Sequence, residues 1–214
     1  MEKIYLQKAI PVIFKNKLPE ASGIWEKEMH FTKGKLYLLE AASGKGKTSF
    51  CSYIYGHRDD YAGEIRFDEQ DIRSFSPETW GALRRESLGI LFQGLRLFPE
   101  LTAWENVQLK NRLTHFKTDE WIRGAFERLN IADKLEAPVA KISFGQQQRV
   151  ALIRALCQPL DFILLDEPVS HLDDTNNRYA GELLLEEVGQ QGCGVISTSI
   201  GKHLDLPYHQ TLQL

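Results

Sequence analysis

A loop rich in glycine and lysine follows a short apolar run at residues 36–39 and ends in Lys47 and Thr48. Glycines let backbone N–H groups close around an anion, and a helix that starts directly after such a loop points its N-terminus at the same anion. At this spacing Lys47 can reach the β and γ phosphates of a nucleotide, and the Thr48 hydroxyl can face Mg²⁺. We therefore predict a site for a nucleoside triphosphate, with a Gly/Lys/Ser-rich surface turn as the alternative. The residues predicted to hold the nucleotide in this loop are Ser43, Gly44, Lys45, Gly46, Lys47, Thr48 and Ser49.

Two adjacent carboxylates, Asp166 and Glu167, follow a second apolar run at residues 162–165. At the carboxyl edge of a parallel sheet, Asp166 can hold Mg²⁺ through a water molecule while Glu167 polarises the water that attacks the phosphate. A turn that merely closes a strand is the alternative, but the Lys47 loop favours the catalytic interpretation. We expect nucleotide binding to be retained although Ala41 replaces the first glycine of the usual G-x-x-x-x-G-K-[ST] pattern.

The segment 142–151 reads Ile-Ser-Phe-Gly-Gln-Gln-Gln-Arg-Val-Ala. It resembles the signature of ATP-binding cassette ATPases, which usually reads L-S-G-G-Q followed by Q-Q-R-V-A, with Phe144 in place of the first of the two glycines. Ser143 is suited to cap a helix, so that its hydroxyl and the amides of Gly145 and Gln146 are aimed at a γ phosphate. A Ser-capped amphipathic helix without a ligand is the alternative. The positions that match the signature are Ser143, Gly145, Gln146, Gln148 and Arg149.

The resemblance to cassette ATPases implies ATP and Mg²⁺ as ligands and a second ATPase subunit as a partner. The phosphate loop already fills the near side of its own nucleotide. Ser143, Gly145 and Gln146 would therefore complete the site of the opposing subunit in a head-to-tail dimer, for which an identical partner is preferred to a different cassette. Asp173 ends a Ser-His-Leu-Asp segment that resembles the S-A-L-D of the family, and the resemblance implies that it also touches the opposite subunit.

Two further positions take roles through this resemblance. Gln93 directly follows an apolar run at residues 88–92 and occupies the place of the family's Mg²⁺-sensing glutamine. Phe14 lies at a suitable distance before the phosphate loop to stack on adenine, and an apolar position in a strand is the alternative.

One departure from the family puts the rate of hydrolysis in question. The family has a Thr-His pair where this chain has Thr198 and Ser199, so the histidine that contacts the γ phosphate is absent. His203 would reach the site only if the turn were rearranged, and a solvated surface histidine is the preferred interpretation. We expect slow hydrolysis with ATP binding retained. The predicted catalytic residues are Glu167, Gln93 and Ser199, and the predicted metal ligands are Thr48, Gln93 and Asp166.

Four apolar runs alternate with segments of helical character, and they predict a parallel sheet that is covered on both faces. These runs are residues 36–39, 88–92, 162–165 and 194–197. One helix is expected to run from the phosphate loop to near Gly56. Two more, at 103–113 and 118–129, interrupt the strand pattern and indicate an inserted helical subdomain. A further helix from Ser143 is expected to bury Val150, Ile153 and Cys157 and to leave Arg149 and Arg154 facing solvent or phosphate.

The resemblance covers nearly the whole chain and implies one α/β domain over residues 1–214, a P-loop NTPase cassette. Its parallel-sheet core would be accompanied by a small antiparallel β portion and by a helical subdomain at about residues 94–158. The implied function is the ATPase subunit of a membrane transporter, most like the lipoprotein-releasing, macrolide-exporter and cell-division group, with the direction of transport open. The alternatives are a cassette that gates a membrane or cell-division partner without moving a substrate, a slow or regulatory ATPase, and a soluble cassette ATPase of DNA repair or translation.

Residues 95–107 resemble the segment through which transporter cassettes contact integral membrane permease subunits. The most exposed anchors are expected to be Leu97, Phe98 and Leu101, and the alternative is that these apolar residues belong to the core of the subdomain.

Composition limits the class of partner and the location. The 214 residues carry a formal net charge of −3, which argues against nucleic acid as a partner. No apolar run approaches a membrane span and the N-terminus lacks a secretory pattern, so we expect a cytoplasmic protein that is peripheral on the inner face of the cell membrane.

Cys51, Cys157 and Cys193 are expected to be buried thiols. An edge strand is expected just before the last residues, with no C-terminal regulatory domain after it.

Overall fold

The computed structural model of the protein describes residues 1–14 and 24–214, and its strands form two sheets. The strands in this part of the chain are β1 (Lys3–Gln7), β2 (Glu28–Thr32), β3 (Leu36–Glu40), β4 (Glu64–Phe67), β5 (Gln70–Asp71), β6 (Leu88–Leu91), β7 (Phe162–Asp166), β8 (Gly194–Ser199) and β9 (Gln210–Gln213). The α-helices are α1 (Lys47–Ile54), α2 (Pro77–Glu86), α3 (Ala103–Asn111), α4 (Asp119–Arg128), α5 (Phe144–Leu156) and α6 (Asp174–Gln191).

A parallel sheet with the strand order β6-β7-β8-β3-β9 forms the centre of the fold. Every residue of β7 and β8 is buried, as expected for strands that are covered on both faces. The four apolar runs of the sequence are β3, β6, β7 and β8, and β9 is the expected edge strand. The predicted parallel-sheet core is therefore confirmed.

An antiparallel sheet with the order β2-β1-β4-β5 lies beside the parallel one. Its strands alternate between the core and a more exposed face: Ile4 and Leu6 of β1 and Ile65 and Phe67 of β4 are buried between less buried neighbours. This alternation is typical of antiparallel strands with one face on the core. The small antiparallel portion that the family resemblance implied is thus present.

Two hydrophobic clusters cover the two faces of the parallel sheet, and the side chains of β7 alternate between them. Phe162 and Leu164 pack in the cluster that contains α1 and the antiparallel sheet, whereas Ile163 and Leu165 pack in the cluster that contains α3 to α6. Burial on both faces holds β7 in place and fixes the position of the carboxyl edge where Asp166 and Glu167 lie.

The helices between β6 and β7 begin at the hydroxyl residues that the sequence offers as caps. Thr102 and Ser143 each form a reciprocal capping box with the side chain three residues on, and Thr118 accepts from the backbone of Trp121. α3 ends two residues before the expected 113. There the Asn111 side chain donates to the Lys117 carbonyl and accepts from the Lys117 amide, which turns the chain toward α4. The 94–158 limits of a helical subdomain remain a prediction.

Two arginines of α5 do not face solvent or phosphate, so that expectation is wrong. The Arg149 guanidinium is buried and donates to the Leu129 carbonyl at 2.7 Å. Arg154 donates to the carbonyls of Leu95 and Arg96 at 2.5 and 2.6 Å. Both side chains supply donors to carbonyls of neighbouring segments, which is a structural role that the helical spacing does not reveal.

Cys51, Cys157 and Cys193 are buried and free, as predicted. Among the residues that the structure describes, no helix combines the length and the apolar character needed to cross a membrane.

Candidate nucleotide-binding site

The phosphate loop connects the carboxyl end of β3 to the first residue of α1, Lys47. Gly46 directly precedes the helix with a left-handed φ of 101°. A Cβ atom at this position would lie 2.9 Å from the Trp25 ring and 3.1 Å from the Phe14 ring. Both the left-handed backbone and the closeness of the two aromatic rings therefore require glycine here. Ala41 has no such requirement, because its φ is not positive, so this substitution does not strain the loop.

Lys47 is 4% exposed, and its ammonium group lies inside the loop. Nζ donates to the carbonyls of Ala41 and Ala42 at 2.9 and 3.0 Å and lies 3.4 Å from Oε1 of Glu167. The predicted phosphate-binding lysine and the predicted catalytic carboxylate are thus neighbours. Of the other loop residues, Ser43, Gly44 and Thr48 are exposed and Lys45 and Ser49 are half-buried.

Gln93 joins the two halves of the site. Its amide nitrogen donates to Glu167 Oε2 at 3.0 Å, and its amide oxygen accepts from the Thr48 hydroxyl at 3.2 Å. Gln93 follows β6, which pairs with β7, so the parallel register brings the glutamine to the same sheet edge as the carboxylates. The sequence separates these residues widely, and the fold brings them together as predicted.

Asp166 is the last residue of β7 and is buried. Its Oδ1 accepts from the Thr198 hydroxyl at 3.0 Å. Burial raises the pKa of this carboxyl above its ordinary value, although hydrogen bonds from Thr48 and Thr198 act in the opposite direction. A nearby cation would counter the effect of burial, because it favours the charged form.

Oxygen ligands of the kind that Mg²⁺ prefers lie close together here. Thr48 offers a hydroxyl, Gln93 an amide oxygen and Asp166 a carboxylate; the Thr48 hydroxyl donates to the Gln93 oxygen and lies close enough to influence the Asp166 carboxyl. Within the described ranges, no group of three or more His, Cys, Asp or Glu side chains could hold a metal by itself. The site therefore suits a cation that is held by one carboxylate and neutral oxygens and completes its shell with water and phosphate oxygens, as Mg²⁺ does.

The backbone of Glu167 is in the left-handed region, with φ of 53°. Its amide donates to the Thr198 hydroxyl at 3.1 Å, so Thr198 contacts both carboxylate residues. Thr198 is not among the residues that the sequence predicts for this site. Its position directly before Ser199, in the segment that corresponds to the family's Thr-His pair, could have identified it as a site residue.

Ser199 lies at the end of β8 and is fully buried. Its hydroxyl donates to the Lys202 carbonyl at 2.9 Å, and its own carbonyl accepts from the Ala41 amide at 3.2 Å. The side chain is therefore directed at a turn and not at the predicted catalytic residues. His203 is half-buried with its ring against Tyr208, so the expectation of a solvated histidine is wrong, and a packed ring explains the difference.

Phe14 ends a short 3₁₀ helix, Val12–Phe14, and its ring lies over Gly46 of the phosphate loop. The alternative of an apolar position in a strand is therefore wrong for this residue. Beneath the same glycine, the buried Trp25 ring packs edge-on against Phe50 and Tyr53 of α1. Contact with adenine at Phe14 remains a prediction.

The signature segment begins α5, with Ser143 as the N-cap. The Ser143 hydroxyl accepts from the Gln146 amide at 3.3 Å, and the Gln146 side chain accepts from the Ser143 amide at 2.9 Å. Ser143 is exposed and Gly145 is half-buried. The expected cap is confirmed, but the Gln146 amide bonds to the cap instead of pointing away free. Asp173 caps α6 in the same manner by accepting from the Asn176 amide at 2.8 Å.

Comparison with known proteins identifies the family. The sequence profile of the ABC transporter family matches residues 26–170. The chain is 39% identical over 176 residues to an uncharacterized ABC transporter ATP-binding protein of Mycobacterium tuberculosis, covering 81% of this chain and 53% of that one. It is 33% identical over 162 residues to the macrolide export ATP-binding/permease protein MacB of Sodalis glossinidius, covering 74% of this chain and 25% of that one. The chain thus spans about half or less of the length of these relatives.

A solved structure shares most of the fold. The ATP-binding cassette MJ0796, a dimer in a post-hydrolysis state bound to ADP and Pi, superimposes with a TM-score of 0.74 at 25% identity, covering 92% of this chain and 87% of that one. CbiO1 of Clostridium perfringens, at 21% identity and a TM-score of 0.70, supports the fold alone. With the sequence match and the joined phosphate-loop and carboxylate residues, these likenesses show that the chain belongs to the ABC transporter family.

Proposed function

We propose that this protein is the ATP-binding and ATP-hydrolysing subunit of a membrane transporter. It dimerises head to tail on ATP and drives separate membrane subunits from the cytoplasmic face of the membrane. One observation carries this proposal: Lys47, Thr48, Gln93 and Glu167 form one network beside Asp166 at the carboxyl edge of the parallel sheet.

Lys47 has the central part in nucleotide binding. Its ammonium group bonds to two loop carbonyls and exchanges those bonds for oxygens of the β and γ phosphates. The loop amides and the N-terminus of α1 complete the grip on the phosphates. Ser43, Gly44, Lys45 and Ser49 line the same loop, and Phe14 offers a ring for the adenine.

Glu167 acts on the water that attacks the γ phosphorus. Its carboxylate is held between Gln93 and Lys47, so it orients the water and accepts its proton while the bond to the bridging oxygen breaks and ADP leaves. Thr48, Gln93 and Asp166 would hold Mg²⁺, which when bound neutralises charge on the phosphates. We infer slow turnover, because Ser199 provides no donor where the family has a histidine.

A second cassette completes the arrangement. The described hydrogen bonds of Ser143, Gly145 and Gln146 lie within α5 and do not reach the phosphate loop. Their exposed end of the helix is therefore available to a nucleotide that is held by another subunit, and Asp173 lies next to it. MJ0796, which shares this fold, is a dimer, and this supports a dimer here, for which an identical partner is the simpler proposal.

The membrane subunits are proposed to contact a groove of about 240 Å³ that is lined in part by Phe98 and Leu109. Phe98 is 53% exposed, and the buried Asn106 holds its backbone by donating to the Phe98 carbonyl at 3.0 Å and accepting from its amide at 2.8 Å. Leu97 and Leu101 are half-buried, so Phe98 is the anchor that the structure favours among the three predicted.

Formation of an ATP-dependent dimer of the protein provides the direct test of this proposal. Glu167→Gln should stall hydrolysis and accumulate an ATP-dependent dimer in sedimentation velocity, as a homodimer or with a different cassette. Adding Ser143→Arg should place a bulky cation near the opposing γ phosphate and disperse that dimer. Adding Lys47→Ala should also abolish it, because the nucleotide grip is lost. A dimer that persists with Ser143→Arg would rule out the head-to-tail arrangement.

A further inference from the structure

Phe144 and His171 are two positions at which this chain departs from the family pattern, and their side chains are in contact. The ring centroids are 4.4 Å apart and the ring planes are inclined by 61°, a tilted, edge-on arrangement that aromatic pairs favour. The two residues are far apart in sequence, one in the signature segment and the other in the loop before α6. Neither has a part in the phosphate chemistry described above.

The backbones beneath the two rings also touch. A Cβ atom at Gly145 would lie 2.9 Å from the His171 carbonyl oxygen. The first turn of α5 therefore rests directly on the loop that leads from Glu167 to Asp173. Any side chain at Gly145 would push the helix away from this loop and separate the two rings.

A chain of hydrogen bonds joins the same two segments on their far side. Arg149 donates to the Gly145 carbonyl at 3.2 Å and to Asn176 Oδ1 at 2.6 Å. The Asn176 side chain in turn donates to the Asp173 carboxylate at 2.7 Å. The buried arginine and the aromatic pair thus connect the start of α5 to the loop at two separate places.

We propose that Phe144 and His171 are positioning residues that hold Ser143 and Asp173 together as one surface for the opposing cassette. This inference rests on the proposed function, because Ser143 and Asp173 meet a second subunit only there. The two departures from the family pattern occur together, because the ring of Phe144 packs against the ring of His171. Phe144 is still 41% exposed, so part of the pair remains available for the opposing subunit to cover.

A double-mutant cycle tests the pairing. In the Glu167→Gln background with saturating ATP, Phe144→Leu and His171→Ala should each raise the dissociation constant of the dimer about tenfold, because a symmetric dimer contains the contact twice. The double variant should be no weaker than either single variant, since both remove the same contact. Phe144→Tyr keeps the ring and should restore the dimer. ATP affinity of the monomer should be unchanged throughout, because the phosphate loop is intact.

Leu113→Ala is the matched control, since it removes an exposed apolar side chain that lies outside both the aromatic pair and the groove beside Phe98, and it should leave the dimer unchanged. The proposal would be overturned if the single variants left the dissociation constant of the dimer unchanged. It would also be overturned if the double variant raised that constant by the product of the two single effects.

If Glu167→Gln forms no ATP-dependent dimer, the proposed function fails instead. Hydrogen exchange of the monomer then decides the pairing: His171→Ala should speed exchange of the Gln146 and Gln147 amides, and unchanged exchange would refute it.

Discussion

One hydroxyl, that of Thr198, contacts both acidic residues of the proposed hydrolytic site. It donates to Asp166 and accepts from the Glu167 amide. The second bond matters because Glu167 has φ of 53°, a conformation that costs a residue with a side chain roughly 1–2 kcal/mol. Thr198 therefore helps to hold Glu167 in a position from which its carboxylate reaches Gln93 and Lys47.

In our proposal, the lack of a hydrogen-bond donor at Ser199 limits the rate of ATP hydrolysis, and Ser199→His tests this. A histidine can donate to the γ phosphate as charge develops, and one such donor changes the rate by about 10²–10³. We expect kcat to rise by up to this factor while KM changes little, because the contact strengthens mainly in the transition state. Steady-state ATPase assays on the purified protein measure both constants.

Ser199→Ala is the control for that experiment. It breaks the bond between the Ser199 hydroxyl and the Lys202 carbonyl without adding a donor, so kcat should stay low. If alanine and histidine raise kcat equally, release of the turn is responsible and the missing donor is not. If histidine has no effect, another residue already supplies the contact.

Local spacing was sufficient to place Lys47 and Thr48 at the start of a helix and Asp166 and Glu167 at the carboxyl end of a strand. Thr198 could not be found in this way. Its role depends on the pairing of Asp166 with Thr198 in the parallel register of β7 and β8, and no local pattern encodes which strands become neighbours.

A buried ion pair fastens the segment just before α4 to α6. Glu187 of α6 is 1% exposed and accepts from the Lys117 ammonium and, at 2.9 Å, from the Trp121 indole. The Lys117 ammonium also lies 4.2 Å from the centre of the Trp121 ring. Two elements of the helical cluster are thereby joined through charge and through a ring face.

Removing one partner of this pair should be costly. Lys117→Met leaves the Glu187 carboxylate buried without its cation, and we expect the free energy of unfolding in urea to fall by about 3–5 kcal/mol. The double variant Lys117→Met/Glu187→Met should recover most of the loss, because buried pairs replaced by apolar groups are often neutral.

The neighbouring pair Arg128–Glu186 offers a matched control, since both side chains are largely exposed. Glu186→Gln should change the free energy of unfolding by less than about 1 kcal/mol. Equal effects of Lys117→Met and Glu186→Gln would show that the buried pair has no special role in stability.

The sequence located the elements better than the contacts between them. Helix starts at Thr118 and Ser143 follow from local caps, and the strands follow from short apolar runs. The burial of Arg149 does not, because it depends on α4 ending beside α5 and on the Leu129 carbonyl that this leaves to be satisfied. The partners of a long polar side chain such as Arg149 lie on neighbouring elements, and the local sequence pattern does not predict how those elements are arranged.

The groove beside Phe98 combines apolar side chains with cations. Arg96, Lys110 and Arg154 line it, and in the described chain these three have no ion pair with a carboxylate. Burial, with the charge of Arg154, lowers the pKa of Lys110 to about 8. A membrane subunit that inserts an apolar segment here would cover Phe98 and Leu109.

Phe98→Glu should therefore prevent co-purification of the membrane partner. Mass spectrometry of complexes pulled down from detergent-solubilised membranes of the source organism should find a multispanning protein with the unaltered chain and at least tenfold less of it with Phe98→Glu. ATP hydrolysis by the isolated chain should be unchanged, because Phe98 contacts none of the predicted nucleotide-site residues.

Leu113→Glu is the matched control, because Leu113 is equally exposed but does not line the groove. It should retain the membrane protein. Loss of the partner with both variants would point to a general effect of added charge, and retention with both would remove the groove from the proposed interface. A peptidoglycan-hydrolase regulator among the captured proteins would favour the gating alternative over transport.

The left-handed backbone of Glu167 also has an evolutionary consequence. Glycine adopts this conformation without a steric penalty, so the backbone alone favours glycine at the position. A glycine would relieve the backbone but would give up the contacts of the carboxylate with Lys47 and Gln93. A glutamate at this left-handed position is therefore expected to persist only in lineages that need its carboxylate.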